Sequence, residues 1–383
     1  MVLAKTLFWI AIIAMIYHFI GYPLLLLIIN SFKKTYQNQM VNDILIYPKI
    51  IILCPAYNEE ARIEEKIKSF LALDYPQDKI KMIVISDNSI DHTNEIVSKY
   101  LDQRIKLIIQ AERGGKQKAQ NSALPYLDCD FVVSTDANSI FAPDAIKVLV
   151  KKILSNPDIG MVSGELLLLH KGDKSSGEGL YWKYESYLKL LESKFYSLIG
   201  ANGSLYLIKR ELFNKIDPQS VDDFERALIV LKNHQIVSYE PDAKVSEEES
   251  KSAKQELGRK VRIISREWQV VKRNRELLNP FRYPIISFQL FSHKILRWLI
   301  FVFLLMVFFA SLYLINIKFF RVVFILQCIF YGWGIIGLIA QSKEKKMPLS
   351  RIPAYICVMF YSSLKAFIYF IGKKTSGIWE PLR

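Results

Sequence analysis

The sequence predicts an α/β domain, a mostly parallel sheet with helices on both faces, held between transmembrane α-helices, and three observations carry that prediction. Apolar runs end in aspartate, Lys81 to Ser86 into Asp87 and Phe131 to Thr135 into Asp136, and an acidic pair follows at Asp222 and Asp223. Short β-type runs alternate with helical patterns from about residue 50 to residue 249, as expected of strands joined by crossover helices. Long apolar segments occupy both ends of the 383-residue chain. In an open α/β sheet the carboxyl ends of the strands border the ligand crevice, so carboxylates arriving there face a ligand. The set suits a metal and a nucleotide.

Taken in order, Leu3 to Ile29 reads as a retained transmembrane helix. It is too long for a signal-peptide core and lacks a small-residue cleavage site after it. A polar stretch, Asn30 to Asp43, precedes a strand at Ile50 to Leu53 that ends in Pro55. Further strands are expected at Met82 to Ile85, Ile105 to Ile109, Phe131 to Val133, Gly160 to Ser163, Ser204 to Ile208 and Ile236 to Tyr239. Helices are expected over Glu59 to Leu71, Lys116 to Tyr126 and Pro143 to Leu154. Tyr181, Tyr184, Leu188, Leu191, Phe195 and Leu198 recur at spacings of three and four, which predicts a longer helix from Glu178 to Leu198 with a core-facing aromatic side. Next, Leu257, Val261, Ile264, Trp268 and Val271 form an apolar stripe amid Arg259, Lys260, Arg262, Arg266, Lys272, Arg273 and Arg275. A basic amphipathic helix of that kind belongs in a membrane interface. Three segments of spanning length follow, Ile295 to Ile315, Phe319 to Ala340 and Ile352 to Ile371. The expected divisions are therefore an anchor at 1–30, a globular domain at 44–252, interfacial helices at 253–294, and a transmembrane region with a short tail at 295–383.

A net charge of +14 could suggest nucleic acid, but the Lys and Arg residues cluster beside apolar runs. That pattern fits cytoplasmic loops facing anionic membrane lipids, so no nucleic-acid partner is expected. Cys54, Cys129, Cys328 and Cys357 show no metal-binding spacing, and two lie within apolar spans. A zinc site or disulfide framework is thus not expected, and a reduced cytoplasmic setting fits. Lys33 and Lys34, and later Lys343, Lys345, Lys346 and Arg351, place the domain on the cytoplasmic side of the plasma membrane. Four spans would leave the tail outside, against Lys373, Lys374 and Arg383, so one C-terminal segment is alternatively interfacial or re-entrant.

The motifs are Pro55-Ala56-Tyr57-Asn58-Glu59-Glu60, Ser86-Asp87-Asn88-Ser89 with Asp91, Gly114-Gly115-Lys116, Thr135-Asp136-Ala137-Asn138, Gly200-Ala201-Asn202-Gly203-Ser204 and Asp222-Asp223-Phe224, running to the arginine-rich helix. In this order they resemble the membrane-bound family 2 glycosyltransferases of GT-A fold, the cellulose synthase-like and poly-N-acetylglucosamine synthase-like enzymes. The resemblance covers the chain from about Ile50 onward. It implies inverting transfer of a hexose or N-acetylhexosamine from a UDP-sugar donor to a lipid-linked or glycan acceptor, with Mg²⁺ or Mn²⁺ as cofactor and polysaccharide-export partners possible.

Residue by residue, the resemblance makes Asp223 the general base, with Asp222 beside it. A plain acidic helix start is the alternative. Asp136 offers a hard oxygen to the metal, and Asn138, standing where the family commonly has aspartate, a neutral one. A turn cap is the competing reading of Asp136. Pro55, Tyr57, Glu59 and Asp87 correspond to the nucleotide-contacting set, although Asn58 and Asp87 could simply cap helices. Lys116, after two glycines, could reach phosphate or a sugar hydroxyl, or only solvent. Arg262 keeps the arginine of the processive relatives' Gln-x-x-Arg-Trp motif, whose Gln and Trp are missing here. With Arg259 and Arg266 it could clamp diphosphate or meet lipid phosphate. Asn202, Gly203 and Trp268 are the acceptor-side candidates. His293, Lys294 and Arg297 could snorkel at a span entrance, and Lys365 is a charge within the last apolar segment. A catalytically dead nucleotide-sugar sensor, a single-sugar polyprenyl-phosphate synthase and a small transporter are the competing functions.

Overall fold

The computed structural model describes residues 1–33, 44–102, 104–169, 177–248, 253–342 and 347–372. Lys34, Lys343, Lys345, Lys346, Lys373, Lys374, Trp379, Glu380 and Arg383 lie outside the described residues.

Eight strands form one sheet: β1 (Ile50–Ala56), β2 (Ile80–Ser86), β3 (Ile105–Ile109), β4 (Phe131–Thr135), β5 (Ile140–Phe141), β6 (Ile159–Leu169), β7 (Leu205–Lys209) and β8 (Ile236–Glu248), ordered β3-β2-β1-β4-β7-β6-β8-β5. The first four are parallel and apolar on both faces, as strands covered by helices on each side must be. Beyond β4 the sheet becomes mixed. β7 runs antiparallel to β4 and to β6, β6 and β8 are parallel, and β5 is antiparallel to β8. β7 and the first half of β6 are as buried as the parallel strands, so the mixed half does not show in the sequence.

Each face carries its own core. Ile63, Ile67 and Phe70 of helix Ile63–Leu71 pack with Ala145, Ile146, Leu149 and Val150 of helix Ala145–Leu154 over one face. On the other face Phe224, Ala227 and Leu228 of helix Asp222–Lys232 meet Val270 and Val271 of the basic helix, Ala253–Arg273, together with Trp298. This second core joins the domain directly to the membrane entrance. Helix starts differ where the backbone demands it. Ile63–Leu71 begins four residues later than the pattern predicts, because Arg62, at φ −132°, breaks the helical backbone just before it.

Val2–Phe32, Lys318–Gln341 and Arg351–Ile371 are each long and apolar enough to cross a bilayer. The segment expected as one span from Ile295 is instead a pair, Pro284–Trp298 and Ile300–Tyr313, bent by 57°. The anchor Val2–Phe32 packs through Phe8 and Ala11 against Val307 and Ala310. Its inner end lies along helix Gly177–Phe195, where Tyr22 and Leu26 meet Leu188 and Leu191.

Candidate active site

At the carboxyl ends of β1 and β2 the loops are laced together. The Asn58 amide donates to Ser89 Oγ at 3.1 Å, Ile90 N donates to Asn58 Oδ1 at 2.9 Å, and Glu59 N donates to Thr93 Oγ1 at 2.8 Å. Asn58 and Asn88 both take positive φ, which asparagine tolerates better than most residues. Asp87 is 2% exposed, and its two carboxylate oxygens accept the amides of Gly114 and Gly115, each at 2.7 Å. Its charge therefore fixes the glycine loop and, through it, the start of the helix headed by Lys116. Gly115, at φ 86°, is where that loop requires glycine. Pro55 lies buried within β1. Tyr57 carries the Arg113 guanidinium 3.8 Å above its ring. Burial, opposed by Arg62, pushes the Glu59 carboxyl up to about 7.

A cleft of about 320 Å³ opens beside this edge, lined by Lys116, Asp136, Asn202, Gly203, Asp222 and Asp223 and roofed by Arg259, Arg262 and Arg266. Lys116 is its centre. Its ammonium lies 2.8 Å from Asp136 Oδ1 and 3.5 Å from Asp222 Oδ2, and donates to Gly203 O at 3.1 Å. Burial works against this charge, but Asp136 and Asp222 outweigh it and hold the ammonium's pKa well above its ordinary value. The solvated-lysine alternative is thereby set aside.

The acidic pair splits into two environments. Asp222 is buried, and its Oδ2 accepts Tyr206 OH at 3.0 Å and Gln120 Nε2 at 3.2 Å, with Gln117 Nε2 at 3.4 Å from Oδ1. Despite burial, Lys116 and Arg226 keep its pKa below the usual carboxylate range. The Asp223 carboxylate accepts only its neighbour's amide, Phe224 N, at 2.9 Å among the described hydrogen bonds. Burial first and Asp222 second push its carboxyl up to about 7. Gly203 sits against it: a Cβ there would meet Asp223 Oδ2 at 3.2 Å and Lys116 Nζ at 3.6 Å.

For a divalent cation, the described residues hold no ready-made cage of three His, Cys, Asp or Glu ligands. Asp136 is partly open, with Ser204 Oγ 3.5 Å from Oδ2. Asn138 turns its amide toward Glu247 Oε2 at 3.4 Å and does not line the cleft. One accessible carboxylate fits a hard ion that completes its shell with water and ligand phosphates.

Several residues here escaped the sequence reading. Lys66 is fully buried behind the Asp136 turn; its ammonium donates to Thr135 Oγ1 at 2.8 Å and to the Ser139 carbonyl, and sits 3.4 Å over the Phe141 ring. Burial lowers its pKa to about 7. The signal was available, since Lys66 interrupts the apolar stripe of Ile63, Ile67 and Phe70. The far wall of the cleft is also polar. His293 Nδ1 and Nε2 lie 2.9 Å from Glu192 and 3.1 Å from Glu185, Arg297 pairs with Glu185 at 3.0 Å, and Lys294 with Glu267 at 2.8 Å. These groups do not snorkel, because buried carboxylates hold them inside. Trp268 does not reach the cleft either. Its indole is stacked on Phe370 at 5.5 Å and packs at 4.9 Å on Trp298, which corrects its expected place beside an acceptor.

Comparison with known proteins gives a consistent result. Residues 51–217 match the family described as glycosyl transferase family 2. A probable glycosyltransferase, YdaM, of Bacillus subtilis is 31% identical over 128 residues, 32% of this chain and 30% of that protein. An N-acetylglucosaminyltransferase of Bradyrhizobium elkanii is 29% identical over 36% of this chain and 76% of its own length. The poly-beta-1,6-N-acetyl-D-glucosamine synthase of Staphylococcus epidermidis is 28% identical over 32% of this chain. The chain thus spans about 30% of the length of the Bacillus and Staphylococcus relatives. Among solved structures, the mannosyltransferase PcManGT of Pyrobaculum calidifontis, in complex with GDP-Man and Mn²⁺, superposes with a TM-score of 0.73 at 22% identity over 96% of this chain and 99% of that one. At that identity the likeness establishes the fold alone, GT-A.

Proposed function

We propose that this chain, whose residues 51–217 match glycosyl transferase family 2, transfers a hexose or N-acetylhexosamine, with inversion, from a UDP-sugar to a hydroxyl of a lipid-linked or glycan acceptor at the membrane. The observation that carries the reading is Asp223, whose carboxyl is pushed up to about 7 in the same cleft that holds the Lys116–Asp136 pair. A base is most effective when its pKa lies near the working pH. Asp223 takes the acceptor's hydroxyl proton as that oxygen bonds to the anomeric carbon. The bond from the sugar to the diphosphate then breaks, and UDP leaves with the electron pair. Lys116, Arg259 and Arg262 face the charge that develops on the diphosphate. Asp136 would hold Mg²⁺ or Mn²⁺, and Asn138, whose amide faces Glu247, would not reach it. Such an ion, when bound, supplies Lewis-acid neutralisation of the leaving group.

An acceptor hydroxyl, more than a lipid phosphate, is favoured by the base itself, since a phosphate dianion attacks without surrendering a proton. Incubation of the purified protein with UDP-sugars, Mn²⁺ and membrane lipid extract, reading released UDP, tests the activity. Release with at least one donor that disappears in Asp223→Asn supports the reading, and undiminished release in that variant refutes the base.

A further inference from the structure

The C-terminal helix Arg351–Ile371 has the length and composition of a span, yet its neighbours place both of its ends at one depth. Depth is set by the antiparallel pair Ile300–Tyr313 and Lys318–Ser342. Phe308 packs on Phe324 at 5.1 Å, and Gln327 Nε2 donates to Ser311 Oγ at 3.1 Å. Continued toward the domain, that register sets Phe301 level with the stretch from Tyr331 to Gly337.

Both ends of the C-terminal helix dock at that level. Near its start, Cys357 Sγ lies 3.9 Å from Tyr331 O, and Gly334 and Gly337 are pressed so closely on Pro353 and Ser350 that an added Cβ would approach them to 2.7 and 2.5 Å. Near its end, Phe367 packs on Phe301 at 5.4 Å. Pro353 and Phe367 are fourteen residues apart, ~21 Å along a helix axis. A helix crossing the bilayer would carry that distance in depth. Here it lies sideways, from one helix of the pair to the other.

The basic helix agrees. Lys260 sits over Tyr355 at 5.6 Å, Trp268 against Phe367 at 5.8 Å, and Lys272 over Phe370 at 6.0 Å. The C-terminal helix therefore runs alongside the basic helix in the same direction over most of its length. Its inward side buries Pro353, Ala354, Met359, Ser362, Ser363 and Ala366, while Ile352, Tyr361, Ile368 and Ile371 are exposed. Lys365, 3.4 Å from Tyr361 OH and 5.7 Å over the Tyr369 ring, then stands at headgroup level, where a lysine costs little.

We infer that Arg351–Ile371 does not cross the membrane but lies in the leaflet facing the catalytic domain, its exposed face occupied by that leaflet's headgroup and acyl boundary, so that the chain leaves it on the domain side. Three crossings remain: Val2–Phe32, the bent pair, and Lys318–Gln341. The inference is independent of the reaction proposed above.

Cysteines introduced singly at Gly372, at Asn316 between the crossing helices, and at Lys49 in the domain, with the native cysteines replaced, would be treated with a membrane-impermeant maleimide in right-side-out and inverted vesicles. Gly372→Cys is expected to label from the same side as Lys49→Cys and opposite to Asn316→Cys. Labelling together with Asn316→Cys overturns the inference. Nitroxides at Ile352→Cys and Ile368→Cys give a second reading in reconstituted bilayers. Equal depths are expected, and a difference of ~24 Å, the rise of sixteen helical residues, overturns it.

Discussion

Asp87 and Asp223 are the same residue type at one edge of one sheet, yet their surroundings set them to opposite tasks. Asp87 is met by two backbone amides at 2.7 Å, so its negative charge is fully used in holding a loop. Asp223 is buried against a second carboxylate and its own carboxylate accepts one local amide among the described hydrogen bonds, so its charge is disfavoured and its pKa rises to about 7. A satisfied carboxylate organises structure; an opposed one is ready to take a proton. The cleft holds both kinds side by side, Asp222 satisfied by its donors and Asp223 opposed.

The largest expected effect comes from Asp223→Asn, which should lower kcat by ~10²–10⁴ if general-base catalysis is lost. Stability should move the other way. The folded protein binds the Asp223 proton more tightly than the unfolded chain, so this group's contribution is most favourable at low pH and is lost as pH rises from the ordinary carboxylate value toward about 7. Thermal unfolding of the Asn variant should therefore exceed wild type at pH 8 and converge with it near pH 4. An inactive variant with no gain in Tm at pH 8 would break the contrast between the two aspartates.

Lys116→Met should come next, with a loss of ~10²-fold in kcat/KM as a cation facing the leaving group disappears. Restoration by Lys116→Arg would show that charge alone suffices at this point. Asp87→Asn should act mainly on structure. One of the two glycine amides loses its charged acceptor, at a cost of ~1–3 kcal/mol, seen as a lower Tm and a donor KM that rises more than kcat falls. Lys66→Met should cost a similar ~1–3 kcal/mol by stranding the buried Ser139 carbonyl, while the Thr135 hydroxyl keeps its bond to Ser204 O. Equal loss of kcat in Asp87→Asn and Asp223→Asn would erase the distinction drawn between them.

Much of the donor edge was legible, because an apolar run ending in aspartate marks both a strand and its carboxyl terminus. Asp136 and the acidic pair fall in the cleft on that ground. What Asp87 does there was not legible, since its partners are amides of a loop 27 residues away. Lys66 was marked by its place on an apolar stripe, a stronger sign than its charge. Trp268 shows the limit of helical periodicity: the spacing gave its face of the basic helix but not that a helix nearly a hundred residues later would cover it. The same limit applies to Arg351–Ile371, where length and apolarity fit a span and only tertiary contacts reveal its direction.

The smallest effect is the most direct test of the claim that Asp222 and burial together make Asp223 a base. Asp222→Asn keeps the shape and removes the neighbouring charge that raises the Asp223 pKa. The pH dependence of kcat/KM for UDP release would be measured in both proteins. Wild type should show an acid limb near pH 7 that moves to lower pH in Asp222→Asn, whereas a limb unmoved by the substitution, or absent from both, would contradict the assignment.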